Sequence, residues 1–166
     1  KAKLEDSERQ LVGFARKEQI ISVDDKQNTV SQTLEATNAG LAEAEKKRIA
    51  AEANYRQVMG ARGQGLSQIL DSKIIQTLKE TKAKLEAQYQ ENLSIYKPAY
   101  PTMVQLRSQI SQVDALINQE VNNIRAAVTA SYEAARAEES LLRGRFEQLK
   151  QDVLSLQDRS IQLNIL

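Results

Sequence analysis

The chain has 166 residues, of which 41% are hydrophobic, 27% charged and only 4% aromatic, and its formal net charge is +1. Because basic and acidic residues are interspersed, this composition argues against a nucleic-acid-binding surface. The chain contains neither cysteine nor histidine, which removes disulfides, thiolate chemistry and the commonest general base and metal ligand. The sequence therefore predicts a protein segment with no catalytic residue, no cofactor and no metal site.

The first two predicted helices occupy about residues 1–21 and 25–58. Apolar residues of the first helix recur at spacings typical of one helix face: Leu4, Leu11, Phe14, Ile21. Between the helices, residues 22–25 have the Ser-x-x-acid pattern of a capping box, which predicts a break. The second helix has a nearly continuous seam at steps of three and four: Val30, Leu34, Thr37, Leu41, Ala44, Arg48, Ala51, Tyr55, Val58.

Three glycines within residues 60–65 predict the end of the second helix and a flexible connector, because glycine disfavours helix continuation. A third helix is predicted from about residue 72 to residue 96, with Asp71 or Ser72 as its N-cap. Its apolar stripe is Ile74, Leu78, Leu85, Tyr89, Leu93, Tyr96.

The sharpest break in the chain is the turn predicted at residues 97–101, which contains Pro98 and Pro101. A proline disfavours helical geometry in the residue before it, and Pro101 suits the first position of a following helix. The fourth and longest helix is predicted at about residues 101–166, a stretch without internal proline. Most of its apolar residues recur at steps of three and four: Leu106, Ile110, Val113, Ile117, Val121, Ile124, Val128, Leu142, Phe146, Leu149, Val153, Leu156, Leu163.

These lengths predict an all-α fold, an elongated antiparallel coiled-coil rod of three to four helices with its tip at residues 97–101. The second helix, the glycine connector and the third helix together are slightly longer than the fourth helix, so the fourth returns alongside all of them if the connector is compact. A hairpin centred on the turn places Leu85 opposite Val113 and Leu93 near Val104. The alternative is a compact three-helix bundle in which the third helix folds back.

The turn is also the candidate contact site. Its residues are Tyr96, Lys97, Pro98, Tyr100 and Pro101. Amphipathic aromatic side chains are favoured in protein interfaces, which is why the tyrosines flanking a tip are candidates for contact with a partner.

Three segments resemble the periplasmic part of the polysaccharide co-polymerase family, the chain-length determinant proteins and their bacterial tyrosine-autokinase relatives. They are LEDSERQLVGF at 4–14, YKPAYPTMVQL at 96–106 and LQDRSIQLNIL at 156–166. The middle segment is similar to the turn of the family, in which a Tyr-to-Pro stretch precedes a helix rich in Leu and Ile. The resemblance extends over essentially the whole chain, from the first of these segments to the last.

The resemblance implies that the chain is a fragment of a longer bacterial inner-membrane protein, which is anchored by two flanking transmembrane helices and assembles as a homo-oligomer. This segment would lie in the periplasm, make no membrane contact itself and serve control of chain length or export of an exopolysaccharide. Its implied partners are an outer-membrane polysaccharide export channel and the polymerase. No catalytic residue is implied here, although the parent protein often carries a cytoplasmic tyrosine kinase domain.

Two other interpretations of the function remain open. The coiled-coil hairpin of a periplasmic adaptor in an efflux or secretion pump has a similar shape and also meets a channel at its tip. A cytoplasmic scaffold or filament would continue its seven-residue repeats outward. The sequences on either side of the segment distinguish these classes.

Overall fold

A computed structural model describes residues 1–60 and 67–165. In chain order its helices are α1 (Ala2–Met59), α2 (Ser67–Leu70), α3 (Lys73–Asn92) and α4 (Pro101–Ile165). The described residues contain no β-strand, so the all-α fold class is confirmed, as is the position of the longest helix. Within the same residues, no helix combines the length and the apolar character needed to cross a lipid bilayer.

Helix α1 continues through residues 22–25, so the predicted break between helices 1–21 and 25–58 is wrong. Val23, in the middle of the capping-box pattern, is only 7% exposed. Ser22 costs about 0.5 kcal/mol relative to alanine inside a helix. Burying a valine side chain gains about 1.5–3 kcal/mol. Packing of Val23 therefore outweighs the local preference for a helix start.

The chain forms two compact units, of which the first comprises Lys1–Lys47 and Ala135–Leu166. Here α1 and α4 run antiparallel, since Val23 and Leu163 line one groove and Val30 and Leu156 line the next. Shielded side chains follow the seven-residue repeat of a coiled coil. On α1 they include Ile20, Val23, Gln27, Val30, Leu34, Thr37, Leu41, Ala44. On α4 they include Ala135, Glu139, Leu142, Phe146, Leu149, Val153, Leu156, Ser160, Leu163.

The second unit, Arg48–Ala134, contains a core to which all four helices contribute. Its buried residues are Val58 of α1, Ile69 of α2, Ile75 of α3, and Val121 and Val128 of α4. Each is at most 8% exposed. The short helix α2 thus has a packing role that its length alone does not suggest.

Two further contacts join α1 to α4 in this unit. The rings of Tyr55 and Tyr132 stack with centroids 4.6 Å apart and planes 18° apart. Nearby, Arg125 donates a hydrogen bond from Nη2 to the carbonyl oxygen of Val58 at 3.2 Å. Carbonyls in the last turn of a helix lack intrahelical donors, so Arg125 satisfies a group at the C-terminal end of α1.

The start of α3 is as predicted, because the Ser72 side chain caps it by accepting a hydrogen bond from the backbone nitrogen of Ile75 at 3.3 Å. The predicted stripe is wrong at its first member. Ile74 is 58% exposed, whereas Ile75 is 2% exposed and lies in the core. The short helix α2 was not predicted at all. The connector predicted at residues 60–65 lies outside the described residues except for Gly60, whose nitrogen donates to the Arg56 carbonyl at 2.9 Å.

Candidate contact site at the turn between α3 and α4

Chain reversal in the second unit occurs at the turn that joins α3 to α4, as the prolines predict. The regular part of α3 ends at Asn92, four residues before the predicted end. Helical bonding persists beyond it, since the nitrogen of Tyr96 still donates to the Asn92 carbonyl at 2.8 Å. Pro98 requires its preceding residue to leave helical geometry, which ends this last irregular turn. Pro101 is the first residue of α4, as predicted.

The turn itself is closed by a hydrogen bond from the nitrogen of Tyr100 to the carbonyl oxygen of Lys97 at 2.9 Å. Pro98 occupies the second position of this four-residue turn, where its fixed φ angle is favoured. Arg107 of α4 donates from Nη2 to the Pro98 carbonyl at 3.0 Å. Hydrogen bonds to the carbonyl oxygens of Lys97 and Pro98 therefore fix the backbone around the proline.

Tyr96 and Tyr100 are brought together face to face. Their ring centroids are 4.4 Å apart and the ring planes differ by 2°. Tyr100 remains 46% exposed, and Lys97, Pro98 and Pro101 are also exposed. The structure thus gathers all five predicted contact residues into one short turn, which we call the turn site.

Three exposed apolar side chains that are not among the predicted contact residues extend the turn site, and the sequence predicts that one of them, Leu93, packs in the α3 stripe. Ile95 is 72%, Val104 47% and Leu93 38% exposed. Val104 follows Tyr100 by four residues, and its nitrogen donates to the Tyr100 carbonyl at 3.0 Å, so the two share a helix face. This spacing was the available signal for Val104. The role of Arg107 had no sequence signal, because its partner is a backbone carbonyl nine residues away.

The charge of the turn site is positive. From residue 92 to residue 113 the sequence contains Lys97 and Arg107 but no acidic residue. Exposed apolar side chains next to Lys97 and Arg107 are complementary to a protein surface that has an apolar depression and carboxylates.

An ion pair holds α3 against α4 behind the turn site. Lys82 Nζ lies 2.7 Å from Asp114 Oδ1, and both side chains are partly exposed. The pair agrees to within two residues with the hairpin alignment predicted from Leu85 and Val113. Its hydrogen bond raises the pKa of Lys82, against a smaller opposing effect of desolvation, with further help from the charges of Asp114 and Glu86.

A groove between α1 and α4 in the first unit is lined by charges of both signs, including Asp25, Lys26, Asp152 and Arg159. No cluster of three or more acidic side chains suited to a metal ion occurs in the part of the chain that the structure covers. The turn site is therefore the candidate that the geometry supports best.

Comparisons with known proteins leave the family open. No protein-family model matches the chain, and neither the curated proteins nor the solved structures yield a significant match.

Proposed function

We propose that this chain is a non-catalytic periplasmic coiled-coil segment of an inner-membrane polysaccharide co-polymerase, which controls chain length or export of an exopolysaccharide by scaffolding and contact. The parent protein would be a homo-oligomer. The turn site would meet an export partner, either the outer-membrane polysaccharide channel or the polymerase. The family part of this proposal is supported by the resemblance of residues 4–14, 96–106 and 156–166 to that family.

The observation that carries the contact role is the pre-formed, exposed turn site. Stacking of Tyr96 on Tyr100 and the hydrogen bond from Arg107 to Pro98 fix the conformation before any partner binds. A pre-organised surface loses less conformational entropy on binding. Tyrosine is also one of the residue types that carry binding energy in protein interfaces, and Tyr100 is 46% exposed.

The test is substitution of the turn site in the full-length parent protein of an exopolysaccharide-producing bacterium. Tyr100→Ala and Lys97→Ala should reduce the amount of exported polymer or shift its length distribution on a gel. Lys79→Ala is the matched control, because Lys79 is also an exposed lysine and lies on α3 away from the turn. Export at wild-type level and length in both turn-site variants would refute the contact role.

A periplasmic adaptor hairpin of an efflux or secretion pump is the second candidate, because an exposed tip between antiparallel helices suits it equally. The same turn-site variants would then lower drug resistance or secretion and leave the polysaccharide unchanged. Membrane helices flanking the segment favour the first function, whereas halves of a lipoyl-like β domain favour the second.

A further inference from the structure

Two cationic side chains face each other across the α1–α4 seam of the first unit. Lys26 of α1 and Arg159 of α4 each line both of two neighbouring grooves between these helices. Each directly precedes a half-buried seam residue, Gln27 and Ser160 respectively, so each occupies a flanking position of the seven-residue repeat. Flanking positions of a coiled coil commonly carry charges of opposite sign, which attract each other across the helices. Here both charges are positive.

In the part of the chain that the structure describes, no carboxylate forms an ion pair with Lys26 or Arg159. The residues three and four positions away from each cation on its own helix are uncharged, so neither has a partner there. By contrast, Lys82 of α3 reaches Asp114 of α4 at 2.7 Å, and Arg125 of α4 donates to a backbone carbonyl of α1. The charges of Lys26 and Arg159 therefore remain uncompensated between two helices.

The two grooves beside these cations differ in charge. One, of about 300 Å³, is also lined by the uncharged polar side chains Gln19, Ser22 and Gln162, and no acidic residue of the described chain lines it. We call it the cationic groove. Asp25 and Asp152 line the other groove, where they lower the positive potential. Because amide and hydroxyl groups donate hydrogen bonds, the cationic groove combines two positive charges with three neutral donors for the oxygen atoms of an anion.

We propose that the cationic groove binds a phosphate group, held between Lys26 and Arg159. A phosphate monoester carries a charge of about −1.5 to −2 at neutral pH, which matches two cations better than a single carboxylate does. The guanidinium binds phosphate oxygens through paired N–H groups, and the ammonium acts as a point charge. The bound group links α1 to α4 at the point where their own charges repel. This inference stands on the groove and does not depend on the proposed function.

Binding is weak, because both cations are exposed to solvent and exposed ion pairs contribute little. We expect a dissociation constant for inorganic phosphate of roughly 1–10 mM. A ligand that binds only the paired helices stabilises them by mass action, so at about ten times the dissociation constant the folding equilibrium constant rises about elevenfold. For a chain of this size, that change raises the midpoint of thermal unfolding by roughly 3–6 °C.

Thermal unfolding of the 166-residue chain, followed by circular dichroism, tests the site. Phosphate is raised from zero to about 100 mM while sodium chloride holds the ionic strength constant, and Lys26→Gln and Arg159→Gln should each lose most of the wild-type rise in midpoint. Lys46→Gln is the matched control, because Lys46 is an exposed lysine of the same helix and unit, outside the groove. General stabilisation by phosphate is common to all variants. An equal rise in wild type and both groove variants overturns the proposal, and so does loss of the rise in the control.

Two further measurements test the charge argument and the source of the phosphate. Sodium acetate at the same ionic strength should give a much smaller rise than phosphate, and an equal rise overturns the assignment to a phosphate group. Glucose 1-phosphate is the probe for esters: a rise with it extends the site to phosphate esters, and a rise with inorganic phosphate alone assigns the site to the free ion. In phosphate-free solution of low salt, Lys26→Gln should unfold about 1–2 °C above wild type, because it removes a like charge. A lower midpoint contradicts the repulsion on which the site depends.

Discussion

The neighbouring isoleucines of α3 give the sharpest test of how the second unit is packed. Ile75→Ala removes three carbon atoms from a side chain that is 2% exposed. At about 0.8 kcal/mol per buried carbon, the transfer loss is about 2.4 kcal/mol, to which the cavity adds further cost. Alanine recovers about 0.4 kcal/mol through its higher helix propensity. We therefore expect the free energy of unfolding to fall by about 3 kcal/mol.

Ile74→Ala is the matched control, because the residue type, the helix and the substitution are the same. Ile74 is 58% exposed, so the loss should stay below about 1 kcal/mol. Urea unfolding followed by circular dichroism at the helix band measures both variants, and Ile75→Val should fall between them at about 1 kcal/mol. A cost for Ile74→Ala equal to or above that of Ile75→Ala would show that α3 presents the other face to the core.

Three further changes test the cap and the ion pairs. Ser72→Ala should cost about 1 kcal/mol in urea unfolding, because it removes the acceptor at the start of α3; an unchanged midpoint would contradict the cap. Because the pKa of Lys82 is raised in the folded chain, its pairing stabilises below the ordinary value of 10.5 and is lost as pH rises through the folded-state pKa. The stability gap between wild type and Asp114→Asn should therefore close in strong alkali, and a constant gap would refute this. The hydrogen bond from Arg48 lowers the pKa of Glu52 in the folded chain. The stability that this pairing adds is therefore fully present above the ordinary pKa of 4.5 and is lost as pH falls through the folded-state pKa. Acid titration of stability should show Glu52→Gln converging with wild type, and a gap that persists at low pH would count against the pairing.

Residues that act through local chemistry could be predicted from the sequence. Pro98 and Pro101 restrict backbone angles wherever they stand, so the turn and the start of α4 followed from them directly. Ser72 has a side chain suited to capping, and no stronger signal competes with it. Residues of the predicted seam from 30 to 58 are all buried or half-buried, because eight consecutive steps of three and four leave one helix face to pack.

Other features depend on contacts between distant parts of the chain. The capping pattern at residues 22–25 loses to burial of Val23, which sequence alone does not show. Ile74 and Ile75 are identical in type, and only their neighbours in α1, α2 and α4 decide which of them is buried. Tyr132 and Glu139 fill shielded positions on α4 between Val128 and Leu142, where the apolar pattern is interrupted. The sequence pattern misses these two positions because too few apolar residues surround them to carry the repeat, whereas the polar members of the α1 seam are flanked closely by apolar ones.

Buried polar residues in the first unit restrict how far its two helices are able to slide. A seven-residue repeat looks almost the same after a displacement of seven residues, about 10 Å along the axis. Thr37 and Glu139 are 9% and 8% exposed, and a Glu139 carboxylate oxygen accepts a hydrogen bond from Arg143 at 2.8 Å. Displacement by one repeat would move these groups onto aliphatic neighbours and leave a charge poorly solvated. The two helices of this unit consequently have one preferred alignment, so each exposed side chain keeps a fixed position along the common axis.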